Sequence, residues 1–408
     1  MVRTVALVAL LALALQNQGV LSICLWYIET GLPIPQPLYI DPSGPLDIHG
    51  FWLPGSDDLV VVPTGSQVLF ACPGGLLPAT GTSEVLLTCV DGDTFSDELG
   101  NTYLFNLLMC TTTPTQTARR VAGASCGNNS SNSVVEIGFE ISNGNFYSLL
   151  EICFNEVSYD SLYSKNIMPP EIDGRQTTLP DPDFFKDDTF YPPNLDLDYA
   201  YSVEGQTAAV AQAVGSASLA GEYISGLNVL QEGRLTSKRD NIYGLHQLVN
   251  AWYLNLAPQW DPIKDGNWDI LQGATRQLAE DFAYDLIVYT GTHGTTTLAD
   301  VNGIEKPIYI AYDESGNGLI RVPEFYWRVV YDPVTQRGVA FVTINNPYIS
   351  SPGSDFYLCP DVCSQIPWVV WDTNDFTKGY SYCCEVNALA PFVEEIPPLT
   401  VTGLLTGV

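Results

Sequence analysis

Ten cysteines fall into two groups, six between Cys24 and Cys153 and four between Cys359 and Cys384. The chain opens with Arg3 and an apolar run, Val5–Leu15, which is the pattern of a secretory signal. An even number of cysteines in an oxidising compartment normally forms disulfides. The sequence therefore predicts two separately cross-linked regions, with every disulfide inside its own region.

The second cysteine group allows a more specific prediction. We expect Cys359 and Cys363 to bridge to Cys383 and Cys384. The alternative is a zinc site built from the same four thiolates. Disulfides are favoured, because a secreted chain uses such cysteines as cross-links more often than as metal ligands.

The leader also predicts the location of the protein. Residues 1–22 are predicted to be a signal peptide, and no later apolar run is long enough to cross a bilayer. A secreted, extracellular protein without a membrane partner is therefore expected. Asn128 and Asn129 form two overlapping Asn-x-Ser sequons, which predict a glycan site.

Strand patterns dominate the first part of the chain. Val135, Ile137, Phe139 and Ile141 alternate with polar or small residues, which indicates a half-buried strand. We predict a disulfide-stapled, β-rich N-terminal domain over residues 23–168. A segment rich in proline and aspartate, residues 169–193, follows as a predicted linker.

Helices and strands mix in the predicted second domain, residues 194–408. Alanine-rich Thr207–Ile224 and amphipathic Asn267–Phe282 are typical of helices. Strand-like runs follow at Ile308–Tyr312, Phe325–Tyr331 and Val339–Ile344. The predicted fold class of this domain is α+β.

The charge of the chain argues against a nucleic-acid ligand at first sight. The formal net charge is −30, whereas nucleic-acid binders usually show a basic surface. The acidity is uneven, however, because residues 230–280 carry six acidic and five basic side chains. The bases in this nearly neutral region are Arg234, Lys238, Arg239, Lys264 and Arg276.

The same region carries a set of ordered motifs. They are Gly233-Arg234-Leu235, Asn255-Leu-Ala-Pro-Gln259-Trp260, Gly266-Asn267-Trp268 and Arg276. In order and spacing they resemble the DNA/RNA non-specific endonuclease family, the ββα-metal nucleases, and most closely its secreted arthropod branch. That branch carries Arg-Gly-His-Leu, Asn-x-Ala-Pro-Gln-Trp, Asn-x-Gly-Asn-Trp and a Glu four residues past the Trp. The resemblance spans roughly residues 183–347 and implies a ββα-metal nuclease-like domain.

The resemblance implies a catalytic scheme that this chain has lost in part. In active members a His deprotonates the attacking water beside one divalent metal. Arg234 stands at the His position, and a guanidinium accepts no proton. Glu232 stands where the family usually has Arg, and Gln272 replaces the Glu that orients the metal's water shell. These positions predict a degenerate active site.

Lys264 stands where the family has its metal-binding Asn. An ammonium group has only donors and cannot ligate a cation, so no cofactor is expected here, in contrast to Mg²⁺ in active relatives. We predict that the Lys264 ammonium takes the place of the metal, close to Glu232 or another carboxylate.

Four residues are predicted to contact nucleic acid: Arg234, Asn255, Lys264 and Arg276. For Asn255 and for Gln259 a structural role, holding the loop by hydrogen bonds, is the favoured alternative. Trp260 and Trp268 are predicted to be core residues. DNA or RNA is the expected partner, and no small-molecule substrate is evident.

Two further features could change this interpretation. His49, His246 or His293 could supply a relocated base, although a lone His is more often structural. The aspartates of residues 181–183 and 196–198 could bind calcium, but they lack the spacing and glycine of a known loop.

The sequence therefore predicts a secreted nuclease-like protein that has lost catalysis and retains nucleic-acid binding. Two alternatives stay open. One is a weakly active metal-dependent endonuclease. The other is a structural or protein-binding secreted protein, for which the net charge of −30 is the main argument.

Overall fold

The computed structural model describes residues 22–408, apart from residues 56, 128, 179–181, 227, 350, 352 and 373–374. The predicted signal peptide, Asn128 and Asp181 lie outside the described residues. The chain divides into two compact units. The first holds the chain up to Thr115 together with residues 139–147 and 174–178, and the second holds residues 116–138, 148–173 and 179–408.

The first unit is a β structure with an aromatic core. Its strands are β1 (Ile23–Tyr27), β2 (Leu38–Ile40), β3 (Leu59–Pro63), β4 (Gln67–Ala71), β5 (Glu84–Asp91), β6 (Thr94–Ser96) and β7 (Thr102–Leu104). β2, β4, β5, β6 and β7 form one sheet in that order, and β1 pairs with β3. The ring of Trp26 stacks on Phe105 at a centroid distance of 4.8 Å, within a fully buried cluster. This cluster supplies the apolar burial that a small β structure needs.

The second unit is built on a nine-stranded sheet. The order is β21-β20-β19-β14-β11-β10-β9-β8, with β22 paired to β20. Every residue of β19 is buried, because side chains on both faces of this central strand are covered. The strands are β8 (Thr117–Arg120), β9 (Asn132–Glu140), β10 (Phe146–Asn155), β11 (Asp160–Met168), β14 (Leu286–His293), β19 (Phe325–Asp332), β20 (Arg337–Ile344), β21 (Ser381–Cys384) and β22 (Gly403–Leu404).

Short helices and hairpins complete the second unit. The helices are α1 (Leu197–Tyr201), α2 (Val203–Val214), α3 (Ala217–Tyr223), α4 (Gly244–Leu248), α5 (Asp261–Ile263), α6 (Asp269–Asp281) and α7 (Val386–Leu389). The paired strands are β12 (Leu230–Arg234) with β13 (Leu256–Trp260), β15 (Thr297–Ala299) with β16 (Glu305–Pro307), and β17 (Tyr309–Tyr312) with β18 (Gly318–Arg321). Among the described residues, no helix has the length and apolar character required to cross a membrane.

The division of the chain differs from the predicted domain boundary at residue 168. Strand β11 pairs with β14 from Tyr163 opposite Gly291 to Met168 opposite Leu286, so it belongs to the sheet of the second unit. The predicted linker, residues 169–193, is also partly packed. Phe190 and Tyr191 are buried, with their rings edge-on to Phe154. Alternation predicts a strand but not which distant strand it pairs with, and this explains the difference between the predicted boundary and the division into units.

The predicted helix Thr207–Ile224 is two helices, α2 and α3. Gly215 adopts a left-handed conformation with φ of +69°, which ends α2. The side chain of Ser216 then accepts a hydrogen bond from the Leu219 amide at 3.3 Å and starts α3. The other predicted helix is confirmed as α6, and the predicted strands are confirmed as β17, β19 and β20.

All ten cysteines are paired. The bridges join Cys359 to Cys384 and Cys363 to Cys383, as predicted, so the four thiolates are not available for zinc. Each remaining bridge also lies within one unit. They are Cys24–Cys89, Cys72–Cys110 and Cys126–Cys153.

Candidate functional site

The motif residues converge on the hairpin of β12 and β13 and on the start of α6. Gly233 lies opposite Ala257 in this hairpin. A Cβ atom at Gly233 would lie 2.5 Å from the Tyr326 hydroxyl oxygen and 2.6 Å from the Gln259 Cβ atom. The hairpin therefore needs glycine at this position, since any larger residue would push it away from strand β19.

A second motif glycine serves the turn that precedes α6. Lys264–Trp268 is a π-helical turn between α5 and α6, and Gly266 within it has a non-helical backbone with ψ of −128°. The side-chain nitrogen of Asn267 donates hydrogen bonds to the backbone carbonyl oxygens of Asp372 and Gly379, both at 2.9 Å. The turn is thus fixed by backbone contacts that a simple helix would not provide.

Asn255 is held within the fold by its own hydrogen bonds, and its predicted contact with nucleic acid stays a prediction. It is fully buried. Its side-chain oxygen accepts from the Thr236 amide at 2.9 Å, and its side-chain nitrogen donates to the carbonyl oxygens of Thr236 and Asn250. These bonds hold the loop after β12 against the residues before β13, which is the alternative favoured from the sequence.

A cationic groove of about 280 Å³ lies beside this hairpin. Four cations and two carboxylates line it, although the chain as a whole has a net charge of −30. The lining residues are Arg234, Ser237, Lys238, Arg239, Gln259, Lys264, Asp265, Trp268, Asp269 and Gln272. The groove therefore combines the predicted Arg234, Lys264 and Gln272 with two cations, Lys238 and Arg239, that were not assigned to the site from the sequence.

Arg234 ends strand β12 at the groove. Its guanidinium carbon lies 5.0 Å from the centroid of the Phe184 ring, which is cation–π distance. The aromatic contact restricts this long side chain and leaves it positively charged. Because a guanidinium has no free acceptor, Arg234 can hold an anion here but cannot deprotonate water.

Lys264 pairs with a carboxylate other than Glu232. Its Nζ atom lies 3.4 Å from Oδ1 of Asp265, in an exposed ion pair. Glu232 does not line the groove. It lies near Tyr201 and Tyr253, whose pKa values are raised by burial and further by the negative charge of Glu232. The prediction placed the Lys264 ammonium close to Glu232 or another carboxylate, and in the structure the neighbouring carboxylate is that of Asp265.

Arg276 lies in a buried ion-pair cluster, and its predicted contact with nucleic acid stays a prediction. Its Nη1 atom lies 2.7 Å from Oδ1 of Asp240, and Arg328 binds the other oxygen of the same carboxylate at 3.0 Å. All three side chains are buried. One carboxylate thus neutralises part of two guanidinium charges inside the second unit, and Arg276 does not line the groove.

Two residues that line the groove carry buried polar atoms without a hydrogen-bond partner among the described residues. Gln259 is 1% exposed, and neither polar atom of its amide hydrogen bonds to another described residue. The indole Nε1 of Trp268 is likewise without a partner among the described residues. Both residues line the groove, although these polar atoms are themselves shielded from solvent.

None of the three histidines, all of which the structure describes, lines the groove. His246 is buried in α4, and burial lowers its pKa to about 3, so it stays neutral. His293 ends β14 and contacts Glu395 at 2.9 Å. His49 belongs to the first unit. A histidine base at the groove is therefore not provided by this arrangement.

The groove does not fit the divalent metal that the resemblance implies. A magnesium site needs converging oxygen ligands, whereas cations make up much of this lining, with Lys264 at the ligand position. Among the described residues, the one close group of three metal-ligand types is Asp361, Cys363 and Cys383. Both of its cysteines are joined in a disulfide, so this group is no metal site either.

Comparisons with known proteins agree with the motifs. Residues 130–389 match the family model described as DNA/RNA non-specific endonuclease. The chain is 26% identical over 355 residues to a salivary endonuclease of Lutzomyia longipalpis, covering 86% of this chain and 78% of that protein. It is 29% identical over 353 residues to salivary protein Tsal2A of Glossina morsitans morsitans, covering 84% of each chain.

One solved structure with a weaker likeness is a crystal structure of the EndoG/EndoGI complex, at 14% identity and a TM-score of 0.35. The match covers 56% of this chain and 84% of that one. The family model, in contrast, covers more than half of the chain. The mixed helices and strands agree with the predicted fold class, an α+β, ββα-metal nuclease-like domain preceded by a disulfide-stapled β-rich region. The chain belongs to the DNA/RNA non-specific endonuclease family.

Proposed function

We propose that this chain is a secreted, catalytically inactive member of its family that binds nucleic acid in the cationic groove without a metal. The observation that carries the proposal is the lining of the groove, where Arg234, Lys238, Arg239 and Lys264 come together in a strongly acidic protein. Phosphate oxygens are the natural ligands of such a cluster.

The loss of catalysis is supported by the chemistry of two positions. Arg234 has no acceptor for a proton and Lys264 has no lone pair for a metal. Loss of the general base alone costs roughly 10²–10⁴-fold in rate. Gln272, which is uncharged and lines the same groove, removes the carboxylate that would order metal-bound water.

Phosphate binding is supported by the two buried donors. The Gln259 amide and the Trp268 indole N–H belong to residues that line the groove, and both are without partners among the described residues. A buried donor without a hydrogen bond costs about 1–3 kcal/mol, and a bound phosphate oxygen would remove that cost. Secretion is supported by the disulfides and by the salivary relatives.

The similarity to the salivary endonuclease of Lutzomyia longipalpis supports a second candidate, a weakly active endonuclease. The two candidates differ in the role of the metal. A binding protein holds DNA or RNA equally well with Mg²⁺ or a chelator and leaves it intact. An endonuclease cleaves it, and the chelator stops cleavage.

The test is fluorescence anisotropy with labelled DNA and double-stranded RNA, with magnesium or chelator, followed by gel analysis of the same samples. We expect binding in both conditions and intact nucleic acid. Lys264→Gln should weaken binding several-fold. Lys165→Gln is the matched control, because Lys165 has the same side-chain exposure of 32% and a similar ion pair, at 3.3 Å to Glu151.

Two results would contradict the proposal. One is chelator-sensitive cleavage by protein purified to constant specific activity. The other is equal affinity for nucleic acid of the Lys264→Gln variant, the Lys165→Gln variant and the unaltered protein. Equal affinities would show that nucleic acid does not bind in the groove.

A further inference from the structure

A second cavity, of about 430 Å³, lies in the second unit and differs in character from the cationic groove. Its walls come from the hairpin of β15 and β16, the end of α3 and the segments flanking β19 and β20. We name it the aromatic–acidic cavity. The residues that define its chemistry are Tyr223, Leu298, Glu305, Glu324, Tyr348 and Phe356.

The aromatic side of the cavity is ordered by its own hydrogen bonds. The rings of Tyr223 and Tyr348 lie edge to face, with centroids 5.3 Å apart. The Tyr348 hydroxyl donates to the Tyr223 carbonyl oxygen, and the Tyr223 hydroxyl donates to the Ala299 carbonyl oxygen at 2.9 Å. Because both hydroxyl groups already donate hydrogen bonds within the protein, the two rings present aromatic carbon atoms to the cavity rather than phenol donors.

The acidic side carries two carboxylates. Glu324 lies against Gly294, whose φ is +67°, and a Cβ atom there would lie 2.7 Å from Oε2 of Glu324. Burial raises the pKa of Glu324, although the neighbouring His293 opposes this effect. Glu305 lies opposite Ala299 in the hairpin. The fold thus makes room at Gly294 for a half-buried carboxylate beside the aromatic rings.

The described side chains that line the cavity supply no cation to balance its negative charge. None of the described residues that line it is Lys or Arg. Within the described part of the chain, neither Glu305 nor Glu324 has a salt-bridge partner or a side-chain hydrogen bond, and Lys306 pairs instead with Asp300 at 3.8 Å. A half-buried carboxylate without a cation is costly, and a positively charged ligand would offset that cost.

We propose that the aromatic–acidic cavity binds a small organic cation, a protonated amine that carries an aryl or alkyl group. Carboxylates attract the ammonium group, and tyrosine and phenylalanine rings bind both cations and apolar groups. The volume lies within the range of small-molecule sites, about 300–1,000 Å³. A bare metal ion fits less well, because aromatic rings supply no oxygen ligands for it.

The proposal is independent of nucleic-acid binding, since the two sites attract opposite charges and share no lining residue. The test is calorimetry on the full chain near neutral pH with four probes, of which the three phenyl compounds have similar shapes. They are 2-phenylethylamine as a cation, 2-phenylethanol as a neutral molecule and phenylacetate as an anion, with hexylamine as a non-aromatic cation.

We expect the amines to bind at one site, the alcohol at least tenfold more weakly, and phenylacetate not at all. Glu324→Gln keeps the shape of the side chain and should weaken amine binding by tenfold or more. Glu314→Gln is the matched control, because Glu314 is exposed and lies outside the cavity. Nucleic-acid binding should be the same in both variants.

Equal binding of 2-phenylethylamine and 2-phenylethanol would overturn the proposal, and so would the absence of amine binding at millimolar concentration. A Glu324→Gln variant that binds the amine as well as the Glu314→Gln variant does would also overturn it. Thermal unfolding of each variant with and without amine verifies that the variant is folded and gives a second measure of binding.

Discussion

At the scale of single residues, the proposed loss of catalysis involves charge rather than framework. Gly233, Gln259 and Trp268 keep the positions that shape the groove. In the proposed scheme, Arg234 and Lys264 stand at the positions of a proton acceptor and a metal ligand, neither of which they can replace chemically. The residues that shape the groove are different from the residues that carry its charge. The charged residues can therefore be substituted without changing the fold of the groove.

Restoring the family residues tests this separation. The combined variant Glu232→Arg, Arg234→His, Lys264→Asn and Gln272→Glu should cleave DNA in the presence of Mg²⁺. Lys264→Asn alone should not, because Arg234 still accepts no proton. A plasmid-nicking assay with and without chelator measures both. Cleavage by the single variant at the rate of the combined one would show that the base lies elsewhere.

A buried histidine makes stability depend on pH. Burial lowers the pKa of His246 to about 3 from an ordinary 6.5, so the unfolded chain binds more protons between these values. Stability should therefore fall on acidification by about 1.4 kcal/mol per pH unit from this group. The test measures the free energy of unfolding in urea at pH 7 and at pH 5. Between these pH values it should fall by about 2 kcal/mol less for the His246→Gln variant than for the unaltered protein. Equal losses would contradict this prediction.

At the scale of elements, the hairpin of β12 and β13 carries the site because it packs tightly on β19. The Tyr326 hydroxyl donates to the Ala257 carbonyl oxygen at 2.8 Å, and Gly233 leaves room for that contact. The Arg234 end of the hairpin then lies beside the turn before α6, which carries Lys264. The groove depends on this docking rather than on either element alone.

Gly233→Ala should disturb that docking. The added methyl group would lie 2.5 Å from the Tyr326 oxygen, and overpacking of this kind costs about 1–3 kcal/mol. We expect lower stability in urea unfolding together with weaker nucleic-acid binding. Gly221→Ala is the control, because a methyl group there meets open space on helix α3 and should be neutral or stabilising by about 1 kcal/mol. Equal stability of the two variants would argue against tight packing at Gly233.

At the scale of the whole molecule, two oppositely charged sites share one acidic chain. A net charge of −30 repels nucleic acid from most of the surface, so contact should be confined to the groove. The aromatic–acidic cavity has the sign of the rest of the molecule. Charge averaged over the chain is therefore a poor guide to what each site binds.

The salt dependence of nucleic-acid binding measures how local the contact is. If the four groove cations meet two to four phosphates, the slope of log affinity against log salt should be roughly −1.5 to −3.5. Anisotropy titrations across a range of salt concentrations give this slope. A slope steeper than about −6 would require a further basic surface, and a slope near zero would rule out phosphate contacts.

Local patterns in the sequence determined a good part of this protein. Motif order indicated the family, clustering indicated the disulfide partners of Cys359 and Cys363, and periodicity indicated α6, β19 and β20. These features depend on residues close together in the chain or on side-chain chemistry that does not change with context. The loss of a proton acceptor at Arg234 is of the second kind.

The tertiary structure alone decided which distant groups meet. Pairing of β11 with β14 places β11 in the sheet of the second unit, and the ion pair with Asp240 buries Arg276, a residue predicted to contact nucleic acid. Lys238 and Arg239 joined the site because the fold brings their turn to the groove. Partner choice across a sheet and desolvation of a charge depend on long-range packing, which a pattern of neighbouring residues does not contain.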